Sequence, residues 1–79
     1  MPPSDTIDWQ AERGRAARHT QRSLIALARR AGWTVQPGRG KGSHVLLTKP
    51  GAARPVVIQQ RMYRNAALSI IDQLEEGSD

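Results

Sequence analysis

The run Gly38-Arg39-Gly40-Lys41-Gly42-Ser43-His44 gathers three glycines, two cations, a hydroxyl and an imidazole just before the aliphatic residues Val45, Leu46 and Leu47. Glycine lacks a Cβ, so the backbone N–H groups of such a turn can approach a phosphate closely and cradle it. Arg39 and Lys41 add positive charge. Imidazole, with an unperturbed pKa of about 6.5, gives or takes a proton near neutrality. These are the parts of acid–base chemistry on a phosphodiester. His44 would move the proton, Gly42 and Ser43 would offer an N–H and a hydroxyl to the reacting phosphate, and Arg39 and Lys41 would hold its neighbours. The plainer alternative is a histidine at a strand edge capped by a neighbouring carbonyl, after an ordinary turn.

One imidazole cannot fill both acid and base roles unaided. The other histidine, His19, lies far off in sequence and is expected to face solvent or touch a helix cap. Lys41, Ser43, Tyr63 or the substrate itself must then assist, and slow chemistry follows. Arg61, Tyr63 and Arg64 form a second cluster, in which an aromatic between two cations either stacks on an unpaired base or pins the start of the following helix.

Charge along the chain supports an anionic partner. All twelve Lys and Arg residues fall between Arg13 and Arg64, a span with no carboxylate, whereas the seven acids sit at 5, 8 and 12 and at 72, 75, 76 and 79. A middle so free of acid carries a positive field that attracts nucleic acid, an anionic membrane or an acidic protein, unless it is simply a solvated basic surface. There is no cysteine, and two histidines without suitably spaced carboxylates argue against zinc, so no metal or other cofactor is expected. No apolar run approaches the roughly 18 residues of a membrane span, and the N-terminus lacks a signal peptide's basic and apolar regions, so no membrane association and a cytoplasmic location are expected.

The elements that must position these residues follow from periodicity. Thr20 is a plausible N-cap for a helix over 21–31, where Leu24, Leu27, Ala28 and Ala31 share one face and Arg22, Arg29 and Arg30 point elsewhere. Gly32 ends it, and Trp33 is placed to fold back on its last turn as a core residue. Short strands are expected over 33–36, 43–49 and 55–59, with Lys49-Pro50-Gly51 opening a turn between the last two. Asn65 is the expected N-cap of a second helix over 66–76, apolar at Ala67, Ile70, Ile71 and Leu74 and stopped by Gly77. Loops this short cannot carry crossovers, so the strands pair antiparallel.

The expected fold is α+β: a two-layer α-β-β-β-α domain over 20–77, with a three-stranded antiparallel sheet, both helices on one face and the other face open. Residues 1–19 form an N-terminal extension, either helical over 4–18 or an arm that orders only on a partner, with Trp9 as its anchor. With 79 residues the core is thin, so a second copy or a partner chain would add stability.

The succession Ala31-Gly32-Trp33, Lys41-Gly42-Ser43-His44, Lys49-Pro50-Gly51, Val56-Val57-Ile58 and Ile71-Asp72-Gln73-Leu74 resembles the HicA family of toxins from type II toxin–antitoxin systems. The resemblance spans residues 23–74 and departs at Gln59-Gln60, where many family members carry a proline and a basic or histidine residue. It implies a double-stranded-RNA-binding-domain-like fold and a metal-independent endoribonuclease that cleaves messenger RNA, an mRNA interferase. His44, in Gly42-Ser43-His44, would be the catalytic residue. It further implies a HicB-like antitoxin partner and either a homodimer or a toxin–antitoxin hetero-oligomer. Two other readings stay open: a non-catalytic RNA-binding module, and an inactive toxin relative that only binds a protein partner.

Overall fold

A computed structural model describes residues 7–37 and 44–77. Its elements are α1 (Trp9–Gly14), a 3₁₀ turn (Ala16–Arg18), α2 (Gln21–Arg30), β1 (Thr34–Pro37), β2 (His44–Thr48), β3 (Val56–Gln59) and α3 (Arg64–Glu76). The strands form one antiparallel sheet in the order β1-β2-β3. The α+β architecture is the expected one, with α1 and the 3₁₀ turn added before it.

Both ends of α2 are closed by local chemistry. Thr20 Oγ1 accepts from Ser23 N–H, and Ser23 Oγ accepts from Thr20 N–H at 2.8 Å, a reciprocal capping box. At the other end Gly32 takes φ +93°, its N–H donates to the Arg29 carbonyl, and Trp33 N–H donates back to Ala28, both at 3.0 Å. That pair of bonds is a Schellman motif, and it turns Trp33 under the helix, where the residue is 4% exposed. Lys49 Nζ donates to the Ala31 carbonyl at 3.0 Å, satisfying one more group of the helix end.

The β2–β3 turn follows its residue types. Ala52 N–H donates to the Lys49 carbonyl at 3.1 Å, with Gly51 at φ +89° after Pro50, the glycine position of a type II turn. This turn sets the register: Leu47 pairs with Val56, Leu46 with Val57, Val45 with Ile58 and His44 with Gln59. Leu47, Val56 and Ile58 consequently point into the core, where they meet Leu24 and Leu27 of α2 and Ile71 and Leu74 of α3.

Two expectations are corrected. The N-cap of α3 is Tyr63, not Asn65. Tyr63 is extended (φ −144°, ψ 168°), its carbonyl accepts from Ala67 N–H at 2.9 Å, and Asn65 lies exposed in the first helical turn. Residues 9–18 are no free arm. Asp8 caps α1 by accepting from Ala11 N–H at 3.0 Å, Ala16 is buried in the core, and Trp9 packs against it. Of the two places expected for His19, solvent or a helix cap, it takes the cap: Nδ1 lies 2.8 Å from Ser23 Oγ of the α2 capping box, and the side chain is only 8% exposed.

Arg13 fastens this segment to α3, its Nε donating to Asp72 at 2.9 Å and its Nη2 to Glu75. The hydrogen bond to Glu75, followed by that to Asp72, raises the guanidinium pKa above its ordinary value. Glu75 at the negative end of α3 is thus offset by a cation from the opposite end of the chain. Gly77 is required by space rather than conformation. Its φ is an ordinary −75°, but a Cβ there would collide with Cζ2 and Cη2 of Trp33.

Candidate functional site

Alternation along β2 decides where His44 points. Val45 and Leu47 face the helices, so His44, Leu46 and Thr48 belong to the opposite face. Thr34 and Gln36 of β1 and Val57 and Gln59 of β3 share that face through the register, so its described strand residues include no Asp, Glu, Lys or Arg. His44 is exposed at one end of it and makes no hydrogen bond to a described residue. Directly opposite stands Gln59, also exposed. An imidazole in this position is open to any ligand that approaches this face.

Gln59 leads to the second cluster. It lines a pocket of about 180 Å³ between β3 and α3, together with Val57, Arg61, Met62, Tyr63 and Ile70. Tyr63 is 62% exposed, and at the start of α3 it caps with its carbonyl and not with its side chain. Arg61 and Arg64 are exposed on either side of it, with no ion pair to a described residue. Gln59, the cross-strand partner of His44, thus shares a pocket lining with Arg61 and Tyr63, and Arg64 opens α3 directly after Tyr63. The remaining expected site residues, Arg39, Lys41, Gly42 and Ser43, lie outside the described residues.

The distribution of ion pairs sharpens the charge pattern. Glu12 binds Arg15 and His19, while Asp72 and Glu75 bind Arg13. Lys49 is occupied by the Ala31 carbonyl and lies 6.0 Å from the centre of the Trp33 ring, a distance compatible with a cation–π contact. Among the described residues this leaves Arg18, Arg22, Arg29, Arg30, Arg54, Arg61 and Arg64 exposed and unpaired. Arg22, Arg29 and Arg30 lie on the outward side of α2, across the helical layer from His44.

A constellation that sequence reasoning missed joins Ser23, His19 and Glu12. His19 Nδ1 is 2.8 Å from Ser23 Oγ and Nε2 is 2.9 Å from Glu12 Oε1. Serine, imidazole and carboxylate in a row have the composition of a hydrolytic triad, but the serine is already committed. Ser23 Oγ accepts from Thr20 N–H and lies within 3.1 Å of the Thr20 carbonyl, and the side chains of His19 and Glu12 are 8% and 7% exposed. Its role is to satisfy a buried carboxylate and lock α1 to the start of α2. The available signal was the i, i+4 spacing of His19 and Ser23; nothing local pointed to Glu12.

A larger cavity of about 520 Å³ lies between the β2–β3 turn and the C-terminal half of α3, lined by Trp33, Arg54, Ser69, Gln73 and Glu76. It contains none of the expected site residues. The buried Trp33 Nε1 at its wall has no hydrogen-bond partner among the described residues.

Comparison of the chain with protein-family models, with curated proteins and with solved structures gave no match. Among the described residues no helix is long and apolar enough to cross a membrane.

Proposed function

We propose that this chain is a metal-independent endoribonuclease of the toxin class, acting on messenger RNA and held in check by an antitoxin of the HicB kind. The observation that carries the reading is the exposed imidazole of His44 at the end of the open sheet face, opposite Gln59, which leads into the β3–α3 junction. In the reaction the 2′-hydroxyl of a ribose loses its proton to a general base, and its oxygen bonds to the adjacent phosphorus. The P–O5′ bond breaks, and the departing 5′-oxygen takes up a proton. His44 serves one of these two transfers. Tyr63, Lys41, Ser43 or water supplies the other, and the enzyme is slow accordingly.

A second reading, a non-catalytic RNA-binding module, draws support from Arg22, Arg29 and Arg30, which offer phosphate contacts on α2 away from His44. Inducible expression separates the two. Arrest of growth that His44→Ala relieves, with RNA binding retained, supports the nuclease. Equal arrest by the variant removes His44 from the chemistry. RNA binding without cleavage by fresh protein in chelator favours the binding module.

A further inference from the structure

Among the described residues two large hydrophobic side chains are exposed, Val57 at 48% and Tyr63 at 62%, and both line the pocket of about 180 Å³ between β3 and α3. Two exposed hydrophobic side chains at the same concavity give it an apolar lip. The volume is below the roughly 300–1,000 Å³ of sites for drug-sized ligands, and fits one planar ring system better than a cofactor. Met62, Ala66 and Ile70 supply apolar wall, Gln59 and Ser69 supply polar groups, and no carboxylate lines the pocket. Arg61 stands in the lining and Arg64 follows on the first turn of α3.

We propose that this pocket takes a single unpaired nucleobase, stacked on Tyr63, from an RNA strand whose phosphates are held by Arg61 and Arg64. The inference rests on the RNA reading above and gives the substrate class as single-stranded RNA. The link to His44 is the register: Gln59 is both the cross-strand partner of His44 and a wall of the pocket, and opposed side chains of an antiparallel pair stand about 4.5–5.5 Å apart at Cβ. A base in the pocket thus belongs to a nucleotide near the one His44 faces. Duplex RNA keeps its bases stacked and would have to extrude one to fill the site.

The test is equilibrium binding of single-stranded octaribonucleotides to the His44→Ala protein, where cleavage is silent. Tyr63→Ser keeps a good N-cap residue at the start of α3, so folding is protected while the ring is lost. It should weaken binding roughly five- to hundredfold, the range for one stacked base, and Tyr63→Trp should restore it. An abasic nucleotide scanned along the strand should cause the same loss at one position in Tyr63 protein and no loss there in Tyr63→Ser. Unchanged affinity in Tyr63→Ser, equal losses for base-bearing and fully abasic strands, or tighter binding of duplex would overturn the proposal. So would a protein-only role, seen as Tyr63→Ser abolishing antitoxin binding with RNA affinity intact. If His44-dependent cleavage persists through any of these, only the pocket falls; if no RNA binds at low salt, the nuclease reading falls with it.

Discussion

His44 and Gln59 occupy opposed positions on β2 and β3, both exposed, on a face whose described strand residues include no Asp, Glu, Lys or Arg. The pair defines the electrostatic setting of the imidazole, because no described carboxylate shares that face. Gln59→Glu would place a negative charge one strand away from His44 and beside Arg61. Affinity for RNA should fall severalfold and cleavage should fall with it, whereas Gln59→Arg should bind more tightly; filter binding at fixed salt checks both.

On the proposed RNA reading, the arginines of α2 would contribute to affinity without touching the chemistry. Each of Arg22→Ala and Arg29→Ala should reduce the salt slope of log affinity by up to about 0.7–0.9 for long RNA. The rate of His44-dependent cleavage of a short, saturating oligonucleotide should stay unchanged. A drop in that rate would mean that α2 shapes the site itself.

Gly77→Ala should destabilise the fold by about 1–3 kcal/mol, because the added methyl meets the Trp33 ring and a packed core resists insertion. Urea denaturation followed by tryptophan fluorescence reads the loss. The companion variant Gly14→Ala, where a Cβ meets nothing within 4 Å, should be neutral or slightly stabilising.

Removing His19 takes away one partner of the buried Glu12. His19→Ala should cost about 1–3 kcal/mol, and a second change of Glu12→Gln should recover part of it, since an amide is cheaper to bury than a carboxylate. Strictly additive losses in the double-mutant cycle would show that the two side chains do not interact.

Arg13→Ala should release α1 from α3 while leaving the sheet intact, which amide hydrogen exchange detects as lost protection at residues 9–18. The raised pKa of Arg13 carries a sign. Its stabilising contribution is complete below the guanidinium's unfolded pKa and fades only as pH climbs through the higher folded value. Deprotonation of Arg13 therefore contributes nothing to any pH dependence near neutrality.

The two main helices were legible because Leu24, Leu27 and Ala28, and Ala67, Ile70, Ile71 and Leu74, repeat at helical spacing and all are buried. That His44 stands at the start of β2 was legible from the aliphatic run behind it, but the face it takes was not. Nor was its cross-strand neighbour, since pairing with Gln59 depends on the turn at Lys49 to Ala52 and on strand length together. The start of α3 was misplaced because asparagine's capping preference competed with a backbone that closes its first bond at Tyr63. The bond from His19 to Glu12 was invisible for a different reason. The intervening 3₁₀ turn bends the chain so that residues seven apart meet side chain to side chain.

The anchoring of Arg13 also has a consequence for how the protein is made. Its partners Asp72 and Glu75 lie 59 and 62 residues further along, and α3 is also a neighbour of the 3₁₀ turn, α2 and β3. During translation the earliest helix leaves the ribosome with nothing to close on, and the layer behind the sheet stays incomplete until the last turns of α3 emerge. The nascent polypeptide is thereby kept from closing its helical layer before its last helix has been synthesised.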